Sequence, residues 1–164
     1  MKGLLLIPEF ESEENTTILL SNINKCKWNK EISRETLHFG KKYDYFTKKL
    51  INCDRIPEWF DNILTRISPI FKKKPDQIII NKYTHGQGIS PHIDHPKLFG
   101  PIIASFSIGA EVPMRMTTNS EKDSDGKNII QNIEIINMSH RSLLVLSEDA
   151  RYLWKHSLVN NTKN

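Results

Sequence analysis

Pro91-His92-Ile93-Asp94 places an imidazole and a carboxylate two residues apart. In extended backbone, positions i and i+2 project to the same side, so both groups can face one metal ion. A third donor is available far downstream in Tyr152-Leu153-Trp154-Lys155-His156, where His156 closes the segment. Two imidazoles and one carboxylate on one side of an ion, with the other positions open, is the ligand set of non-haem Fe(II) oxygenases. The open positions matter because a co-substrate and dioxygen must both reach the metal. A His-x-Asp pair by itself carries little information, since it equally fits a local side-chain hydrogen bond in a loop. The other histidines are weaker candidates. His95 points to the opposite side of an extended segment, and His85 sits in the turn-like Thr84-His85-Gly86-Gln87-Gly88. His38 and His140 have no acidic neighbour at ligand spacing.

The elements that must position these residues read as two helices followed by a β-rich half. Residues 1–8 read as an edge strand leading into a helix. Ser12 is a helix cap, with Glu14 and Asn15 in the first turn and Ile18, Leu19 and Ile23 as the apolar stripe of a helix over residues 12–24. Residues 31–52, polar and aromatic, read as a hairpin or a long ordered loop. Pro57 opens a second helix running to Phe71, with Trp59, Phe60, Ile63, Leu64 and Ile67 at helical spacing. Short strands are predicted over residues 77–83, 102–108, 113–118, 129–136, 143–147 and 152–158, with turn-forming segments between them. Short strands at near-regular spacing predict a sandwich or a jelly roll, hence a mainly β fold with flanking helices, α+β in class.

Composition bounds the rest. At 164 residues, with 38% hydrophobic and 26% charged residues, the chain is expected to form a single domain over residues 1–164. No stretch approaches the roughly 18 apolar residues that a membrane helix requires. The apolar run after Lys2 is too short for a signal peptide, and Glu9, Glu11, Glu13 and Glu14 follow it. The expectation is a cytoplasmic or nuclear protein with no membrane partner. Cys26 and Cys53 have neither CxxC nor zinc-type spacing and read as free thiols. The net charge of +4 is compatible with a polyanionic partner. The clusters Lys41-Lys42, Lys48-Lys49 and Lys72-Lys73-Lys74 also read as solvated faces.

Beyond the metal-ligand pattern, Asn81-Lys82-Tyr83-Thr84-His85-Gly86-Gln87-Gly88-Ile89-Ser90-Pro91-His92-Ile93-Asp94 resembles the AlkB-family signature of Asn-x-Tyr, then Gly and Ile, then His-x-Asp. Ala104 to Gly109 resembles the family's Ser-Leu-Gly strand. Arg141 to His156 resembles the segment leading into its distal histidine, and Arg34 to Gly40 with Tyr43-x-Tyr45 resembles its nucleotide lid. Four blocks in order span about residues 34–158. The resemblance implies a double-stranded β-helix (jelly roll) and an Fe(II)- and 2-oxoglutarate-dependent dioxygenase that consumes dioxygen and releases succinate. It implies that His92, Asp94 and His156 hold the iron and that Asn81 and Tyr83 contact 2-oxoglutarate. Arg34, Phe39, Tyr43 and Tyr45 would shape the substrate entrance, where aromatics can stack a base. An ordinary hairpin with exposed aromatics is the competing reading of these four, as a barrel-capping aromatic is of Tyr83 and a turn amide of Asn81. Gly86 and Gly88 are expected to serve backbone geometry.

The chain departs from the pattern in two places. Family members carry an Arg-x5-Arg strand after the distal histidine, whose first arginine grips 2-oxoglutarate with a two-bond fork. Here Arg151 is the last arginine and Lys163 the only cation after His156, so the domain is expected to lack that strand. The second departure is Pro96, which stands where relatives that repair alkylated DNA bases tend to have a second acid. The Lys74 to Gln77, Gly86 to Ile89 and Ser142 to Val145 segments look closest to the branch that hydroxylates a wobble uridine of tRNA. The expected function is therefore oxidation (hydroxylation or demethylation) of a nucleic-acid base, in RNA or tRNA. Two alternatives stand beside it: a catalytically inactive RNA- or protein-binding module, and an oxygenase acting on protein lysine.

Overall fold

The computed structural model describes residues 1–158 except 45, 123 and 127, with backbone alone for 119–122 and 128–131. Its contacts fall into two units. One comprises Met1–Phe10 with the chain from His85 onward, and the other is Glu11–Thr84.

The first unit contains two antiparallel sheets. Strands β1 (Leu4–Ile7), β10 (Leu143–Leu146) and β7 (Ile103–Phe106) form one in the order β1-β10-β7. Strands β6 (Ile89–His92), β11 (Lys155–Leu158), β8 (Val112–Lys122) and β9 (Asn128–Met138) form the other in the order β6-β11-β8-β9. The chain alternates between them: β6 lies in the second, β7 in the first, β8 and β9 in the second, β10 in the first, β11 in the second. That alternation is the winding of the expected jelly roll. Met114, Met116 and Met138 from one sheet meet Leu144 and Leu146 from the other, and Ala150 completes the buried cluster. On β1, Leu4 and Leu6 pack against this cluster while Leu5 is exposed, the period-two alternation of a half-buried strand. Gly3, at φ +80, is required just before β1: a Cβ there would sit 2.1 Å from the Ser147 carbonyl oxygen.

Between β10 and β11 the chain makes a five-residue helix, α3 (Glu148–Tyr152), where a strand beginning at residue 152 is the sequence expectation. Ser147 with Glu148 and Asp149 behind it is a helix-start pattern, and Arg151 in the last turn complements the helix dipole. A five-residue helix is too short to show the apolar periodicity by which helices are found.

The second unit follows the sequence closely in its helices. In α1 (Glu13–Asn24) the Ser12 hydroxyl accepts from the Asn15 amide at 3.1 Å, as a cap should. Its buried stripe is Thr16, Leu19 and Ile23, whereas Ile18 lies on the exposed side. Pro57 precedes a single 3-10 turn, Glu58–Phe60, that runs into α2 (Asp61–Phe71), which buries Ile63, Leu64 and Ile67. Residues 31–52 hold three strands: β2 (Glu35–Phe39), paired with β5 (Ile78–Lys82), and the hairpin β3 (Lys41–Asp44) with β4 (Lys49–Asn52). Cys26 and Cys53 are both free thiols. Among the described residues no helix is long and apolar enough to cross a membrane.

Leu144, on the central strand of the three-stranded sheet, is completely buried in the cluster between the two sheets. Leu144→Ala is expected to destabilise the protein by about 2–5 kcal/mol, measured by chemical denaturation. A loss below about 1 kcal/mol would contradict the packing described.

Candidate metal centre

His92 ends β6, and His156 is its direct cross-strand partner on β11. Directly opposed residues of antiparallel strands share a face, so pairing alone brings the two rings together, with centroids 4.3 Å apart. Between these positions and the Leu158–Ile89 pair, β6 has one residue more than β11. That bulge falls at Ser90-Pro91 and re-aims the strand end that bears His92. Among the described residues β6 is an edge strand, the place where a proline without an amide hydrogen is tolerated. Gly86, at φ +81, makes the turn that delivers the chain to β6, as its residue type predicts, and His85 lies in the same turn.

Asp94 follows just beyond β6. Its Oδ1 lies 3.6 Å from His92 Nε2 and its Oδ2 lies 3.7 Å from His156 Nε2. The three donor atoms lie within 4.8 Å of one another and are the only such cluster of metal-binding side chains among the described residues. Metal–donor bonds of about 2.1 Å put neighbouring donors about 3 Å apart, so the His–Asp gaps of 3.6 and 3.7 Å would have to shorten for the three to share an ion. His92 Nδ1 donates to the Ser90 carbonyl oxygen at 2.8 Å, which leaves the Nε2 lone pair for a metal. His95 is not part of the cluster, and His140 Nδ1 accepts from the Gly109 amide at 3.0 Å.

Charge in the site follows from burial. His156 shares its face with Met116, its fully buried partner on β8, and the ring is 14% exposed. Burial drives its pKa down to about 4; the Asp94 carboxylate pulls it upward, and the positive fields of His92 and Arg151 add to the depression. Burial acts on Asp94 in the opposite sense, raising it. The His92 interaction and the fields of His156, His92 and Arg151 outweigh burial and hold the carboxyl below its ordinary value. At neutral pH the site therefore offers a neutral His156 imidazole and an Asp94 carboxylate, two of the protonation states a metal requires.

The sequence reading missed Arg151. It is 2% exposed and points its guanidinium at the backbone around Asp94. Nη1 donates to the Asp94 carbonyl at 2.8 Å, Nη2 to that of His95 at 3.5 Å and Nε to that of Gly100 at 3.2 Å. Its position in a short helix near the distal histidine is the available signal.

A family model for the 2OG-Fe(II) oxygenase superfamily matches residues 5–164. The chain belongs to this superfamily. As a 2OG-Fe(II) oxygenase of the AlkB-like kind it is a 2-oxoglutarate-dependent dioxygenase, with Fe(II), 2-oxoglutarate and dioxygen as its cofactors. It is 28% identical over 162 residues to the uncharacterized protein L905 of Acanthamoeba polyphaga mimivirus, covering 96% of this chain and 73% of that one. To the tRNA (carboxymethyluridine(34)-5-O)-methyltransferase alkbh8 of Xenopus tropicalis it is 30% identical over 170 residues, covering 96% of this chain but 25% of the relative. The chain thus spans about a quarter of that larger protein. A solved structure of OsALKBH1 has the same fold, with a TM-score of 0.67 at 17% identity, covering 96% of this chain and 85% of that one.

The remaining candidate residues of this oxygenase lie in the second unit. Asn81 is on β5 and Tyr83 just beyond it. Arg34 links them: its Nε donates to Asn81 Oδ1 at 2.7 Å, and its guanidinium lies 5.9 Å from the centre of the Tyr83 ring. Phe39 corrects the expectation of an entrance residue. It is 8% exposed, with Trp59 and Phe60 edge-on at 6.0 and 5.6 Å, so its ring is committed to the core of this unit. Tyr43 is half-buried on β3, opposite Leu50, and Tyr45 lies outside the described residues.

Two measurements check the centre. His156→Ala and Asp94→Ala should each abolish Co(II) binding followed by visible absorption; a variant that binds as the parent does removes that residue from the ligand set. The metal-free protein should also lose stability as pH falls from 6.5 to about 4. The unfolded chain takes up the His156 proton across this window while the folded one resists it. Depressed Asp94 extends the loss in the same direction, below its unfolded value of 3.8. Melting temperature against pH should therefore fall more steeply for the parent than for His156→Gln; equal slopes would contradict the burial of this ring.

Proposed function

We propose that this oxygenase, acting as one domain over residues 1–164, oxidises a nucleic-acid base, in RNA rather than DNA, with a tRNA wobble uridine as its target. The observation that carries the nucleic-acid reading is where the charge lies. Glu11–Thr84 holds 14 basic and 10 acidic residues and the rest of the chain nine of each, so the whole net charge of +4 belongs to one unit. A localised positive excess of this kind is the electrostatic footprint of a polyanion-binding face.

That unit also presents apolar rings beside its cations. Phe46, at the tip of the β3–β4 hairpin, is 83% exposed. The turn beneath it is built, not loose: Asp44 Oδ1 accepts from the amides of Phe46 and Thr47 at 2.9 and 3.3 Å, and Oδ2 accepts from the Thr47 hydroxyl at 2.7 Å. Exposed Lys48 and Lys49 follow. Trp28 likewise carries the Lys82 ammonium 5.3 Å from its ring centre. Aromatic rings flanked by lysines suit unstacked bases on a phosphate backbone. The RNA preference is supported by the 30% identity to the Xenopus tropicalis tRNA enzyme and by Pro96 in place of a second acid.

In the reaction, bound Fe(II) with 2-oxoglutarate and dioxygen supplies the oxidising chemistry. The protein's share is positioning. His92 and His156 would present their Nε2 atoms, Asp94 would contribute the negative charge, and the buried side of the cluster would exclude water. Asn81 and Tyr83 are assigned to 2-oxoglutarate. With its Oδ1 accepting from Arg34, the NH2 group of Asn81 is the part suited to a carboxylate, which needs donors.

Succinate release from 2-oxoglutarate with Fe(II) and ascorbate should be stimulated by tRNA, and nucleoside mass spectrometry should show an oxidised or dealkylated uridine. Stimulation by lysine peptides and not by RNA would overturn the nucleic-acid reading, and absence of turnover with every substrate would leave a binding module. Lys48→Glu/Lys49→Glu should weaken RNA binding and flatten its salt dependence by about two charges. Phe46→Ala should weaken it by about 1–3 kcal/mol at unchanged salt slope.

A further inference from the structure

We propose that Arg151 is the positioning residue of the metal centre: it holds the loop that carries Asp94 so that the carboxylate stands between the two imidazoles before an ion arrives. The proposal rests on His92, Asp94 and His156 being the ligand set. Two of these ligands need no help, because His92 and His156 are fixed by strand pairing. Asp94 is the exception, since it lies beyond the last residue of β6 in the loop that leads to β7.

Arg151 closes that loop from both ends. Two of its nitrogens reach the carbonyls of Asp94 and His95, where the loop begins, and a third reaches the carbonyl of Gly100, where it ends. In between, the His95 carbonyl also accepts from the amides of Leu98 and Phe99 at 3.2 and 3.1 Å, so the guanidinium staples a turn that is already hydrogen-bonded. The other face of the guanidinium lies 4.9 Å from the Tyr152 ring centre. The clamp is itself anchored: the Ala150 amide donates to the Lys2 carbonyl at 3.0 Å, and fully buried Ala150 belongs to the core between the sheets.

The side chain suits this task and no simpler one. A buried cation is costly unless its donors are satisfied. A guanidinium offers several donors in a rigid plane and can serve three carbonyls at once, whereas an ammonium is a point donor on a flexible stem. Groups that orient metal ligands from outside the ligand set commonly change metal affinity about 10–100-fold when removed.

Co(II) titration of Arg151→Lys and Arg151→Gln, followed by d–d absorption, tests the proposal alongside melting of the metal-free proteins. Both variants should raise the Co(II) dissociation constant about tenfold or more and alter the band pattern. Arg151→Lys should recover melting temperature more than affinity. Leu144→Ala should lower the melting temperature and leave the Co(II) dissociation constant and spectrum unchanged, which separates positioning from bulk stability. Variants that bind Co(II) with parental affinity and spectrum overturn the role of Arg151 while leaving the ligand set intact. A parent protein that binds no Co(II) overturns the ligand set and the proposal with it. Should neither Arg151 variant fold, the parent's Arg151 Nε–H in NMR decides. Slow solvent exchange in the metal-free protein, unchanged by Zn(II), supports a preformed clamp; exchange as fast as that of a solvated arginine overturns it.

Discussion

One strand register governs the chemistry of this molecule. His156 can meet His92 only because β11 lies antiparallel to β6 with those two positions directly opposed. A slip of one residue would turn His156 to the other face and bring Lys155 or Ser157 into its place. The register is held on the other flank too, where β8 pairs with β11 and sets buried Met116 against the same histidine. The register of β11 is therefore braced on both flanks, and a change of register on β8 would act on the site through the shared strand.

Charge in the centre is balanced before any ion is present. Asp94 brings one negative charge and Arg151, buried behind it, one positive, while the His156 imidazole is neutral. A divalent ion arriving there leaves an excess of two positive charges. A dianionic 2-oxoglutarate offsets that excess, so metal and co-substrate favour each other electrostatically in a site of low effective dielectric.

The parts that the sequence made legible are those whose signal is local or carried by residue type. His92 and Asp94 show through their i, i+2 spacing, α1 through the Ser12 cap, and α2 through Pro57 and its apolar stripe. The long-range pairing with His156 shows as a candidate donor, and family resemblance singles it out. What stayed hidden depends on burial. Phe39 looks like any lid aromatic until Trp59 and Phe60 close over it. Ile18 is as apolar as Leu19 yet faces outward, because Thr16 takes the buried position and satisfies its hydroxyl on the Ser12 carbonyl. Arg151 resembles any surface cation of a helix end, and only the carbonyls gathered around it reveal otherwise.

The border position of β6 has its own consequence. A strand at the margin of a sheet is held on one side only, and Pro91 removes one further tether. Such strands detach by partial opening at much lower free energy than whole-molecule unfolding. Among the described residues His92, one of the three candidate ligands, rides on such a strand, so its pairing with His156 is what fraying of this margin would break first. Retention of an ion there would follow the local firmness of a four-residue ribbon more than the melting point of the whole.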